Sequence, residues 1–281
     1  MIVSCRKEGF PMHKSVANNQ HSLDIDRGVF KENLSSWSSE LGIHLESNKL
    51  DMLVDDLLLV LEKNKVVNLT SICDPYDALV LHILDSVAFL GPLDRYLGQP
   101  AQAIRILDMG SGGGFPGIPL ACSRNYDVVL LDSVGKKVAA CDEFTHELGL
   151  QNRVTCVHSR LEDYARSDYG SFDCVVARAL SSLDVLLEYS SPFLKIGGYL
   201  ICGKGNPNDT ELFKAELTED FCGFLLVSRE TFELPEDYGH REFFVYRKTK
   251  KSQIKLPRKN GEAKNNPLAE SKLVSRETGR R

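Results

Sequence analysis

Apolar positions recur at helical spacing in the first part of the chain: Phe30, Leu34, Trp37 and Leu41, then Leu50, Leu53, Val54, Leu57, Leu58 and Leu61. Steps of about three and four residues put them on one helix face. Gly42 breaks the stripe and Ser47 offers a capping hydroxyl, so two helices are predicted, packed as a small preface on the main domain. A polar connection, Asn68-Leu69-Thr70-Ser71-Ile72, leads to a third helix over residues 75–90. On it His82, Asp85 and Ser86 fall at i, i+3 and i+4, a polar triplet placed either to grip a substrate or to bond locally at a solvated edge. After Ile106 the period changes. Short apolar runs at 127–132, 153–157, 172–177 and 198–203 predict strands, and the amphipathic stretches at 136–148, 183–189 and 209–220 predict helices between them. Two last runs, 224–234 and 241–247, are separated by Pro235-Glu236-Asp237-Tyr238-Gly239. That turn leaves no room for a helix, so the two strands are predicted to be antiparallel.

The first of these units carries the chemistry. Ile106-Leu107-Asp108-Met109 runs into Gly110-Ser111-Gly112-Gly113-Gly114-Phe115-Pro116-Gly117 and on into Ile118-Pro119-Leu120-Ala121. This reads as strand, tight turn and helix, with Pro116 suited to a first helical turn and the glycines admitting both positive φ and close approach of a ligand. Two registrations are open. Gly112-x-Gly114-x-x-Gly117, with Asp132 at a suitable distance, fits a dinucleotide fingerprint. Asp108-x-Gly110-x-Gly112-x-Gly114 puts an acid at the strand end, where it meets the cationic amino-acid part of S-adenosylmethionine better than a pyrophosphate. The closing antiparallel pair favours the second. Five strand–helix repeats and a hairpin are the layout of an α/β class I methyltransferase fold: a Rossmann-like, seven-stranded mixed sheet with helices on both faces, here with a small N-terminal helical region. By position, Asp132 then holds the ribose hydroxyls and the Leu161-Glu162 corner frames the adenine.

Composition narrows the class. The 281 residues are 42% hydrophobic, enough for one substantial core and an accessory region. No apolar run approaches the roughly 18 residues that cross a bilayer, and the N-terminal section lacks the apolar centre of a secretory signal, so a cytoplasmic protein without membrane association is expected. The eight cysteines and seven histidines lack metal-ligand spacing and imply buried thiols and no metal. Net charge is −5, but residues 245–281 hold twelve Lys/Arg against three Asp/Glu, or +9, which leaves −14 for residues 1–244. The expected organisation is a disordered extension over 1–27, a helical region over 28–92, the donor-binding domain over 93–248 and a basic, disordered tail over 249–281. With no helical stripe left over, a monomer is expected.

Six segments complete the picture: Asn68-Leu69-Thr70-Ser71-Ile72, His82-Ile83-Leu84-Asp85-Ser86, the glycine corner from Asp108 to Leu120, Leu131-Asp132-Ser133, Ser159-Arg160-Leu161-Glu162 and Ala177-Arg178-Ala179. In this order, over residues 30–248, they resemble the RsmG family, historically called glucose-inhibited division protein B. The resemblance implies an S-adenosylmethionine-dependent methyltransferase acting on guanine N7 of 16S ribosomal RNA, within the 30S subunit or its precursor. It also implies donor contacts at Gly110, Phe115, Leu161, Glu162 and Arg178, to which the strand-end and glycine arguments add Asp132 and Gly112. Pro257-Arg258-Lys259-Asn260-Gly261 resembles the basic ending of some members.

The chemistry asked of such a site is slight. A sulfonium is an activated leaving group, and guanine N7 has a free lone pair and loses no proton, so positioning suffices and no general base is required. Ala177-Arg178-Ala179-Leu180 stands where amine methyltransferases place an Asp/Asn-Pro-Pro-aromatic motif, which agrees with that. Arg178 and Lys204 are the positioning candidates, Arg178 because its fork suits planar acceptors. Candidates for RNA contact are Asn68, Thr70, His82, Asp85, Lys204, Arg258 and Lys259. The alternatives are a small-molecule methyltransferase and a non-catalytic S-adenosylmethionine-binding protein.

Overall fold

The computed structural model describes residues 26–98 and 103–270. Most of the extension expected over 1–27, and the last eleven residues of the expected tail, lie outside the described residues.

Helix α1 (Arg27–Glu40) starts where the Asp26 carboxylate accepts from the N–H groups of Gly28 and Val29, and it buries Phe30, Leu34 and Trp37. Helix α2 (Ser47–Asn64) buries the stripe from Leu50 to Leu61. Ser47 is its first residue rather than its cap, and the hydroxyl instead accepts from Lys31 Nζ at 3.3 Å. Next come α3 (Pro75–Ala78), a π-helical turn (Leu79–Leu84), α4 (Asp85–Val87) and α5 (Leu90–Leu97). Together they form a rod from Pro75 to Leu97, and this corrects two expectations. Its 23 residues hold an 18-residue window of mean hydropathy 1.3, long and apolar enough to cross a bilayer, but 78% of that window is buried within the fold, where it serves as a core helix. The expected boundary at residue 92 also falls inside α5.

The sheet follows from alternation along each strand. Strands β1 (Arg105–Met109), β2 (Asp127–Asp132), β3 (Val154–His158), β4 (Phe172–Arg178) and β5 (Leu194–Lys204) are parallel, linked by α6 (Gly117–Ser123), α7 (Gly135–Glu147), α8 (Leu161–Ser167) and α9 (Leu183–Ser190). After α10 (Asp209–Cys222), β6 (Phe224–Leu234) and β7 (Gly239–Lys248) close the sheet antiparallel, giving the order β3-β2-β1-β4-β5-β7-β6. Ile106, Val128, Val176 and Ile201 face one core with α1, α2 and the rod; Leu107, Val129, Val175 and Leu200 face the other with α9 and α10. Burial on both faces is why these strands read as continuous apolar runs. Seven strands in this order, with helices on both faces, are the α/β Rossmann-like architecture expected.

The tail is corrected as far as Glu270. Thr249 and Gln253 donate their backbone N–H groups to the carbonyls of Gly223 and Phe221, and a short helix, α11 (Glu262–Asn265), follows. Leu256, Ala263 and Leu268 join the second core. These few apolar residues, spaced among many charges, anchor a segment whose composition reads as disordered. Cys122, Cys141, Cys174, Cys202 and Cys222 are buried thiols and Cys156 a half-buried one, whereas Cys73 is disulfide-bonded.

Candidate active site

Strands β1 to β5 all end on one edge, and the strand order reverses between β1 and β4, where α/β sheets open a crevice for ligands. The glycine loop lies there. Gly110 and Ser111 donate to the Leu131 carbonyl, and the Asp132 carboxylate accepts from Gly112 N at 2.9 Å and Val134 N at 2.8 Å. Asp132 thus ties the loop of β1 to the end of β2 while staying half-exposed. Gly112 adopts φ +57°, and a Cβ there would meet only Lys137 Nζ at 4.0 Å, so its backbone borders open space. The other glycines mostly serve packing. A Cβ on Gly117 would come within 2.2 Å of Leu130 Cδ2 and 2.7 Å of Asp108 Oδ2, and one on Gly110 within 2.6 Å of Leu180 Cδ1.

Asp108 departs from its expected role. It is fully buried, Oδ2 accepts from Gly117 N at 2.8 Å, and Oδ1 has no partner. It therefore caps α6 instead of facing a ligand's amino group. Pro116 is correspondingly the N-cap and not the first helical residue, which leaves the Gly117 N–H for Asp108. Burial pushes the Asp108 carboxyl up to about 7, against the Gly117 hydrogen bond and the charge of Arg178.

The polar triplet turns inward. His82 is buried, its ring stacked on Phe115 at 4.6 Å and 11°, and its Nε2 lies 2.7 Å from Thr70 Oγ1. Burial, then the charge of Arg178, lower the imidazole to about 3, so it is neutral. Asp85 accepts from Arg178 Nη1 and Arg241 Nε, each at 3.0 Å, and Ser86 bonds the His82 carbonyl. Neither His82 nor Asp85 is presented to RNA; they build a floor under Phe115. Arg178 is part of it. Nη1 also donates to Leu81 O at 2.8 Å, and the guanidinium stands 5.4 Å from the Phe115 ring centroid, so Arg178 is tied by Nη1 to the rod beside that ring.

The remaining candidates divide by exposure. Thr70 is half-buried and held from below by Asn64, which bonds its N–H and its carbonyl, whereas Asn68 is exposed. Leu161 opens α8 and is half-buried; the Glu162 carboxylate accepts from Gly261 N at 2.7 Å and so belongs to a tail contact. Lys204 is occupied by Glu211 at 2.8 Å and the Ser181 carbonyl at 3.1 Å. Arg258 is paired with Glu188, while Lys259 is exposed. Sequence reasoning missed Asn64 and Arg241. Asn64 interrupts an apolar helix face one step after Leu61 and was legible as a polar misfit; Arg241 sits in an alternating strand and gave no signal.

Comparison with known proteins bears on this corner. The description of one family, GidB, rRNA small subunit methyltransferase G, matches residues 48–237. The ribosomal RNA small subunit methyltransferase G of Alkaliphilus metalliredigens is 35% identical over 84% of this chain and 97% of its own length. That of Staphylococcus epidermidis is 36% identical over 85% and 98%. The chain belongs to the rRNA small subunit methyltransferase G family. The residues matched to the family take in the glycine loop, Asp132, the α8 corner, Arg178 and Lys204, and they end before the tail. Among solved structures, geranyl diphosphate methyltransferase in complex with SAM is similar at 14% identity and a TM-score of 0.47, covering 62% of this chain and 90% of that one.

Proposed function

We propose that the chain transfers the methyl group of S-adenosylmethionine to N7 of a guanine in 16S ribosomal RNA, within the 30S subunit or its precursor, as a cytoplasmic monomer. One observation carries this reading: in a member of the rRNA small subunit methyltransferase G family, the open backbone at Gly112 adjoins a half-exposed acid, Asp132, at the strand-order reversal. The residues present fit the donor. Gly110 and Gly112 would border it, Asp132 would meet the ribose with oxygens that keep spare lone pairs, Leu161 would frame the adenine, and Phe115 would wall the methyl end. When bound, S-adenosylmethionine supplies a methyl group on an activated sulfonium.

The chain's own part is to bind, orient and exclude water. Phe115 is fixed from one side by the His82 ring and approached by Arg178, so its face cannot swing. The titratable groups around it are buried and turned inward: His82 meets Thr70, Asp85 two arginines and Asp108 Gly117, while His82 Nδ1 and Asp108 Oδ1 have no partner. This suits a nucleophile that needs no deprotonation. Asn68 and Lys259 are exposed and remain the contacts proposed for RNA. Borohydride–aniline cleavage of 16S ribosomal RNA from a strain lacking this gene is expected to lose one site that the parent shows. Persistence of every site overturns the reading.

A further inference from the structure

We infer that residues 256–266 are a positioning element of the donor pocket, clamping the α8 corner that frames the adenine, rather than an arm held free for RNA. The inference rests on the proposed function, because it takes Leu161 as that frame. Helix α8 has seven residues, too short to hold its place by its own hydrogen bonds, so its first turn sits where packing puts it. That turn is gripped from the tail. Gly261, in the left-handed conformation at φ +79°, aims its N–H at Glu162 Oε1, 2.7 Å away, and Asn260 Nδ2 donates to Asp163 Oδ2 at 2.8 Å.

The grip is anchored in turn. Arg258 sets both arms of its guanidinium on Glu188 of α9, Nε at 2.7 Å and Nη2 at 2.6 Å, and also donates to Asn266 O and Glu262. Its side chain is 14% exposed and that of Glu188 4%. A bidentate pair this buried has a fixed geometry, and an arginine committed to it has no fork left for a phosphate. Pro257 and Arg258 then close a cleft whose other walls include Leu161 and Tyr189. The tail thereby joins α8 to α9 behind the adenine corner.

Calorimetric titration with S-adenosylmethionine tests this. Arg258→Met is expected to raise Kd at least tenfold for the donor and for adenosine alone, with Arg258→Lys intermediate and affinity for 30S particles at saturating donor changed less than twofold. Unchanged donor affinity together with weaker 30S binding overturns the inference. Should Arg258→Met fail to fold, Asn260→Ala removes an exposed contact, and unchanged donor affinity there counts against the clamp. Hydrogen exchange on the unaltered chain separates the clamp from the donor site itself. Added donor is expected to protect residues 257–266 along with 110–115. Protection of 110–115 alone overturns the clamp and leaves the donor reading standing, whereas protection of neither overturns both.

Discussion

Asp108 lies wholly inside the protein with one oxygen on the Gly117 N–H and the other unpartnered. Burial pushes its carboxyl up to about 7 in the folded chain, against about 3.9 in the unfolded chain. Between those values the folded chain keeps a proton that the unfolded chain has released, so this residue costs stability progressively as pH rises from about 4 to about 7. His82 acts in the opposite sense. Burial and Arg178 hold it near 3, below its unfolded value of about 6.5, so it adds stability as pH rises through an overlapping window. The two partly cancel in the native chain. Asp108→Asn, which keeps an acceptor for Gly117, is expected to gain stability on the parent between pH 4.5 and 7 in urea unfolding; an equal difference at both pH values removes the assignment. The acid was legible from its place at a strand end. Its role was not, because the sequence does not show whether a side chain at a strand terminus turns to the crevice or to the following helix.

At the scale of elements, the connection from α2 to α3 is built by one side chain. Asn64 Oδ1 accepts from Leu69 N at 2.8 Å and Thr70 N at 3.0 Å, while Nδ2 donates to Thr70 O. Thr70 in turn meets His82, so the loop is fastened to the ring beneath Phe115. Asn64→Ala leaves these backbone groups without partners and is expected to cost about 1–3 kcal/mol. Because the loop touches the site, KM is expected to rise as well, and a variant with full stability and unchanged kinetics contradicts the assignment. Strands were the most legible elements, since residues 127–132 and 224–234 were bounded by turns and carried unbroken apolar or alternating patterns. The third helix predicted over residues 75–90 continues in the structure through Gly91 and Pro92. The chain tolerates them because α5 restarts at Leu90, placing Pro92 in a first turn whose N–H groups need no helical partner. The tail's docking was not legible at all, since Leu256, Ala263 and Leu268 are too few to show a period.

For the whole molecule, the +9 beyond residue 244 is partly spent on the protein itself, with Arg258 facing Glu188 and Lys250 facing Asp220. Lys251 and Lys255 remain exposed. Replacing both with Gln is expected to lower the salt dependence of 30S binding by about one unit for each phosphate that is no longer neutralised, with donor affinity unchanged. An unaltered salt slope places the RNA elsewhere on the surface.

The bond between Gly261 and Glu162 joins residues 99 apart in the chain. Synthesis runs from the N-terminal end, so the glycine loop and Glu162 are made before Gly261 is added. The amide that meets Glu162 is translated 99 residues after the carboxylate it meets. A nascent chain therefore acquires its glycine loop early and its fastening late, and products stopped short of residue 261 lack that fastening however well the sheet has formed.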